Sequence, residues 1–339
     1  MFVNDSQTKQ SRSVPVGLFH SLLACLYWGI VFVIPNLLES FQELDIVLTR
    51  YTIFGIFSLF PILWKRQNIF KNISLHVWGQ SFLWAFLVNM VYYFGIALAI
   101  RYVGAAITII IAGLAPIAVL FHSNVKKKEL SYTLLSAISC VIFLGVVLTN
   151  LSEFHSTTAV NPLQYFIGLS CVIISTGIWV AYIICNYDFL LKNPNISPDL
   201  WCGMLGVASL AICLPLIIIF DCLGITHIAH NFIAHTPTSE RLLFILLCSA
   251  MGIFSSSRAI TSWNKASLHL SPALLGAMLI FEPIFGLILS YLYEKTLPTL
   301  QEGVGIFLML GGSLICLILF GRKANQKEPE ESKILPSAD

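Results

Sequence analysis

The chain has 339 residues, 57% of them hydrophobic and only 11% charged, with a formal net charge of +2. A soluble domain carries roughly 25% charged residues, and a protein of this size has no single water-bounded core able to hide so much apolar surface. Lipid is therefore the solvent for much of the chain, and near-neutral charge with no long basic run argues against a nucleic-acid surface.

Residues 1–14 are polar and include Lys9 and Arg12. The apolar run that follows, about 16–38, is too long for a signal-peptide core and has no clear cleavage site, so it predicts a retained first helix. A helix needs about 20 apolar residues to cross the hydrocarbon core. Runs of that length predict ten spans, at roughly 16–38, 44–64, 76–99, 102–121, 130–150, 164–186, 199–220, 241–262, 267–293 and 300–320. The runs are continuous rather than alternating, which excludes a transmembrane β-barrel. Most of the 9 cysteines lie inside these runs, with no C-x-x-C. They read as small apolar packing residues, not as a disulfide framework or a metal site.

Basic residues orient the spans. With the N-terminus in the cytoplasm, the inner side receives Lys65, Arg66, Lys71, Lys126, Lys127, Lys128, Lys192, Arg258, Lys265, Arg322 and Lys323, besides the tail residues. Of 19 basic residues, the outer side keeps only Arg50, Arg101, Arg241 and Lys295. Both termini are thus expected in the cytoplasm, which an even number of spans satisfies.

The two halves repeat one another. Aligning residues 268–284 with 101–117 sets Pro283 on Pro116 and Ala273 on Ala106. Lys128-Glu129-Leu130 and Tyr293-Glu294-Lys295 then close matching helices, Gly145 and Gly311-Gly312 follow, and Trp28 pairs with Trp179. Five spans is an odd number, so the second unit is inverted relative to the first. Inverted repeats mark secondary transporters, with the solute site near the midplane where the repeats meet. The expected organisation is a cytoplasmic tail (1–15), a first five-helix unit (16–150), an outer linker (151–163), a second unit (164–320) and a cytoplasmic tail (321–339).

Trp28-Gly29, Arg50, Leu114-Ala115-Pro116, Phe281-Glu282-Pro283, Tyr293-Glu294 and Gly311-Gly312, in that order and spacing, resemble the EamA-type branch of the drug/metabolite transporter superfamily. The likeness covers nearly the whole chain. Within the superfamily, 161–166, 178–182 and 311–316 are similar to bacterial aromatic amino-acid exporters. The chain departs from the family where Glu294-Lys295-Thr296 stands in place of a frequent Gly-Glu pair. The resemblance implies a basket of ten helices around a central cavity lined by spans 1, 3, 4, 6, 8 and 9. It also implies export of a small metabolite and a place in a bacterial inner membrane.

Several residues then become site candidates. Glu282 lies mid-span, where an unpaired carboxylate costs several kcal/mol, so it must face protein or water. Its neighbour Pro283 has no backbone N–H and frees a carbonyl one turn earlier, which needs another partner in lipid. A carboxylate beside a broken helix is a plausible binding or proton-coupling element, and a neutral Glu that only bonds a neighbouring helix is the rival reading. Pro116 is the matching kink in the first half, with Ala115 in place of the acid. Arg50 sits some six residues inside the outer end of span 2. It could snorkel to the headgroups, which is the favoured reading, or capture a substrate carboxylate. Arg258 poses the same choice near the inner end of span 8. Trp28, Trp179, Asn89, Tyr92 and Tyr93 suit an aromatic cavity wall, or ordinary helix packing. Ser255, Ser256 and Ser257 add hydroxyls to that wall or bond back to their own helix. His227, His230 and His235 read as a solvated loop, since H-x-x-H alone is a weak metal signal. No Walker A or G-x-G-x-x-G motif is present, so ATP-driven transport by this chain alone is not expected.

The expected fold is an all-α integral membrane protein of ten helices, built as two inverted five-helix repeats around a central cavity. The expected function is secondary transport of an amino acid or related solute by alternating access, with no cofactor or metal, and with Glu282 open to two roles: coupling flux to a proton or accepting a hydrogen bond from a substrate ammonium. Rival readings are a membrane-embedded enzyme, which needs a nucleophile, acid–base or metal cluster at one depth, and a receptor or scaffold without transport. Oligomeric state is not legible.

Overall fold

The computed structural model describes residues 13–38, 40–64, 73–151, 161–228 and 237–334, and these are all helix and connecting turns. The chain begins with α1 (Val14–Gly29), extended by two 3-10 turns, Ile30–Phe32 and Ile34–Leu37. Then come α2 (Glu43–Trp64), α3 (Leu75–Val103) and α4, which is broken into Ala105–Ala112 and Ala115–Lys127. The first half closes with α5 (Tyr132–Asn150). The second half holds α6 (Pro162–Lys192), α7 (Pro198–Cys222), α8 (Thr238–His269), α9 (Pro272–Glu294) and α10 (Leu300–Ile334). Eight described helical stretches, those of α3 to α10, are long and apolar enough to cross a membrane, and α1 is a shorter apolar helix.

Local sequence explains where these helices start. Ser74, Ser131, Asn161, Ser197 and Ser271 are N-caps whose side-chain oxygens accept from backbone N–H groups of the first turn. Proline follows at the first helical position of α6, α7 and α9, where its missing N–H costs nothing. The turn from α4 to α5 passes through Lys128 in the left-handed region (φ 48°), and α9 ends on Lys295 in the same conformation (φ 56°). Asn124 clamps the first of these turns, donating to the Leu130 carbonyl at 2.9 Å and accepting its N–H at 2.8 Å.

Two expectations about span length change. The first run was expected to be helical over 16–38, but the α-helix stops at Gly29, where the chain tightens into 3-10 turns. Pro35, which lacks a backbone donor, lies in that segment. By contrast, α6 and α8 outrun the predicted 164–186 and 241–262. At 1.5 Å per residue the 31 residues of α6 reach about 46 Å, well beyond a hydrocarbon core of about 30 Å. Their extra turns are polar. Lys126 meets Asp188 at 3.6 Å and Lys265 meets Asp199 at 3.4 Å there, on the side the basic residues mark as inner.

The closest packing is between helices from opposite halves of the chain: α2 with α7, α5 with α10, α3 with α6, α1 with α8 and α9, and α4 with α9. Glycines permit two of these approaches. A Cβ on Gly55 of α2 would lie 2.6 Å from the Gly206 carbonyl oxygen of α7. A Cβ on Gly145 of α5 would lie 2.7 Å from the Gly305 carbonyl oxygen of α10. Without Cβ atoms the backbones meet directly, and dispersion between them replaces the hydrophobic drive that lipid removes.

Two helices carry a wider winding in mid-course. Residues Ala85–Tyr92 of α3 and Met251–Arg258 of α8 form π-helical turns. Such turns are rare and collect at functional sites, because the extra residue re-aims the side chains around it. Both turns face the middle of the bundle.

Candidate functional site

A narrow cavity at the centre of the bundle brings Arg50, Asn89, Ser255 and Ser256 together with a set of aromatic side chains. Its walls are Trp28 of α1; Arg50 and Tyr51 of α2; Trp84, Val88, Asn89 and Tyr93 of α3; Trp179 and Tyr182 of α6; Leu205 of α7; and Ser255, Ser256 and Ile260 of α8. The space open to the centre of a water molecule is about 20 Å³, room for a water or two. A metabolite needs several hundred Å³, more room than this cavity offers.

One end of the cavity is aromatic. Trp28 meets Trp179 edge to face at 5.4 Å between ring centroids. Tyr182 stacks on Trp179 at 5.7 Å and meets Trp84 edge to face at 5.6 Å. Offset and edge-on rings at these distances attract through their quadrupoles as well as by buried area. The other end is polar and centred on Arg50, which is only 3% exposed. Its Nε donates to Ser256 Oγ at 2.9 Å, Nη1 to the Tyr93 hydroxyl at 3.1 Å, and Nη2 to the Ser255 carbonyl at 3.4 Å. The guanidinium carbon sits 5.0 Å from the ring centroids of both Tyr51 and Tyr93, within cation–π range. Asn89, also on the wall, donates to Ser209 at 2.7 Å. Ser255 donates to the Tyr27 carbonyl at 2.6 Å and ties α8 to α1.

Most of the sequence candidates converge here: Trp28, Trp179, Asn89, Tyr93, Ser256 and Arg50 all line the cavity. Tyr92 stands one layer back, stacked on Trp179 at 5.5 Å. For Arg50 the favoured snorkelling reading is overturned. The side chain turns inward to α3 and α8 rather than outward to the headgroups, because the tyrosine faces and hydroxyls give it partners within the bundle. Arg258 is exposed and lies 5.5 Å from the Phe57 ring centroid.

Glu282, Pro283 and Pro116 do not form the cavity wall. The expected lining by spans 4 and 9 therefore changes: α2 and α7 take their places, while α4 and α9 pack on one another through nearly fully buried apolar residues such as Leu120 and Leu275. The break in α9 falls at Ile280, three residues before Pro283, and the break in α4 falls at Gly113-Leu114, just before Pro116. Two carbonyls just before the α9 break gain partners from other helices. Ser313 of α10 donates to the Ala277 carbonyl at 2.7 Å, and the Cys25 thiol of α1 donates to the Met278 carbonyl at 3.3 Å. Glu282 itself is enclosed by protein but not fully covered, beside Cys25 and Tyr92, and within electrostatic reach of Arg50.

Sequence reading missed Tyr51, Trp84 and Tyr182. Tyr51 adjoins Arg50, and Tyr182 lies one turn beyond Trp179, so spacing alone held a weak signal for both. His227 neighbours Asp45, while His230 and His235 lie outside the described residues, as do Lys9, Arg12, Lys65, Arg66 and Lys71.

The sequence model of the EamA-like transporter family matches residues 15–151, which is α1 to α5. The first half of this chain is an EamA-like unit. Along 307 residues the chain is 26% identical to the "Inner membrane protein YtfF" of Escherichia coli (strain K12), a match that covers 89% of this chain and 94% of that protein. A solved crystal structure has the same fold, with a TM-score of 0.70 at 17% identity over 91% of this chain and 99% of that one. The family resemblance read from the sequence is thus upheld over the first half of the chain, and the eight long apolar helices mark an integral membrane protein.

Proposed function

We propose that this protein is a secondary transporter that exports an amino acid or related small metabolite by alternating access. The observation that carries the reading is the central cavity, with an aromatic end and a polar end, in a chain of the EamA-like family. Residues 16–150 and 164–320 act as two inverted five-helix repeats, ten spans in all, with both tails in the cytoplasm of a bacterium and the spans in its inner membrane. Three features support this arrangement. Every closest helix pairing crosses from one half to the other, as interlocked repeats require. The π-helical turns fall in α3 and α8, and the left-handed Lys128 and Lys295 end α4 and α9. Trp28, Trp179, Asn89, Tyr93, Ser256 and Arg50 contact the solute, Tyr92 backs the aromatic wall, and Pro116 and Pro283 hinge α4 and α9. Glu282 exchanges a proton with the transport cycle.

Purified protein in liposomes, offered labelled amino acids, nucleosides and sugars, should move at least one of them. Overexpression should lower the cellular content of that solute or raise resistance to a toxic analogue. A folded protein that moves nothing in either direction would leave the enzyme and scaffold readings standing. Reporter fusions after Lys71, Lys128 and Lys323 should all read cytoplasmic. An external signal at Lys323 with an internal one at Lys71 would mean an odd number of spans, and the inverted arrangement would be lost.

A further inference from the structure

The polar end of the cavity is rich in donors and poor in acceptors. Arg50 is the only buried lysine or arginine among the described side chains. No carboxylate lies within 4.0 Å of its nitrogens among the described residues. A guanidinium has five N–H donors, and three are used on Ser256, Tyr93 and the Ser255 carbonyl. One N–H on each terminal nitrogen remains without a protein acceptor. One of the hydroxyls that receive Arg50 adds to the surplus. Ser256 Oγ accepts from Arg50, and its own proton has no acceptor among the described residues. The Tyr93 hydroxyl accepts from Arg50, and its ring meets that of Tyr51 edge to face at 5.6 Å between centroids.

Glu282 is within electrostatic reach of Arg50 but not within 4.0 Å. A buried cation with no carboxylate in contact is costly, and a donor cluster short of acceptors adds to the cost. Water relieves this only in part, since the cavity holds a water or two. An oxyanion relieves both, because it brings negative charge and several lone pairs to the same point. Beyond this cluster the wall is aromatic, lined by Trp28, Trp84, Trp179 and Tyr182, which suits a flat apolar body rather than a sugar or a second charge.

We propose that Arg50, with the Ser256 and Tyr93 hydroxyls, is the anchor for the carboxylate of a transported solute whose flat apolar body lies among the tryptophans. This rests on the transporter reading and sharpens it, since it names the solute class as an aromatic or similarly flat carboxylate. The carboxylate is shared by simple acids and amino acids. An amino acid would place its ammonium toward the Asn89 side chain on the wall.

Calorimetric titration of the purified, detergent-solubilised protein tests the proposal with four probes: 3-phenylpropionate, its amide, phenylalanine and phenethylamine. The acid should bind about ten- to hundredfold more tightly than the amide, the worth of a charge-assisted hydrogen-bond pair. Phenethylamine should bind no better than the amide. Phenylalanine at least as tight as the acid assigns amino acids, weaker binding assigns simple acids, and either supports the anchor. Arg50→Gln should remove the preference of acid over amide while sparing the amide itself. Should that variant fail to fold, the acid-to-amide ratio of the unaltered protein and its reduction in Ser256→Ala decide. Equal binding of acid and amide, no binding of the acid at millimolar concentration, or a preference that survives Arg50→Gln would overturn the anchor. Liposome flux separates the two readings. Flux of a neutral or cationic solute through a protein that fails the titration would remove the anchor and keep the transporter.

Discussion

Two polar clusters lie buried in this bundle, and they differ in how completely they close. Around Trp201 the network is neutral and shut. Trp201 Nε1 donates to Asn186 at 2.8 Å, Asn186 donates to Asn264 at 3.0 Å, and Asn264 donates to the Pro198 carbonyl at 3.4 Å. Each of these three side chains is 0% exposed, and Phe189 stacks on Trp201 at 4.0 Å. It ties α6, α7 and α8 together, and none of its members lines the cavity. Around Arg50 the network is charged and open. Its donors outnumber its acceptors, and it fronts the cavity. Membrane interiors reward closed networks with stability and leave open ones for whatever visits, because an unmatched polar group in lipid has no water to turn to.

The widest separation between the two clusters should come from Arg50→Gln. Solute flux in liposomes should fall about ten- to hundredfold, the loss expected for a charged hydrogen-bond partner, while thermal unfolding shifts little. A matching loss of folded protein would make Arg50 as structural as Trp201 and erase the contrast.

Glu282→Gln should come next. The amide keeps the shape and much of the hydrogen bonding but cannot titrate. Flux or its pH dependence should drop by about tenfold, within the range of a single proton-transfer group, with expression and melting temperature nearly unchanged. An unaltered rate and pH profile would leave Glu282 as a structural hydrogen-bonder beside the Pro283 break.

Tyr93→Phe removes one hydroxyl from the open cluster and leaves the ring over Arg50. A neutral hydrogen bond of about 1 kcal/mol sets the expected fall in solute affinity at roughly fivefold, read by the same titration. No change would mean that the Tyr93 hydroxyl takes no part in holding the solute.

The smallest functional effect should follow Asn186→Ala. Polar contacts between membrane helices average about 0.6 kcal/mol, so stability should fall by roughly 1 kcal/mol for the two bonds lost. Flux per folded molecule should hold. A double-mutant cycle with Asn264→Ala should show coupling, since the two amides bond each other. Flux lost beyond the folded fraction would mean that the closed cluster also takes part in the cycle.

What sequence alone determined here is what is local in one dimension. A run of about 20 apolar residues marks a span, and a serine or asparagine cap with proline behind it marks where α6, α7 and α9 begin. The depth of Glu282, the paired prolines and the family likeness also follow from order along the chain. Tertiary structure alone decided which way each side chain faces. A soluble helix announces its inner face by amphipathicity, but these helices are apolar all round, and lipid and protein interior are nearly the same solvent to a leucine. So α2 and α7 wall the cavity where α4 and α9 were expected. Arg50 turns in to Tyr93 and Ser256 where length of side chain allowed it to reach outward. The π-helical turns of α3 and α8 add a further rotation that a 3.6-residue period does not contain, and they bring Asn89, Ser255 and Ser256 to the cavity wall.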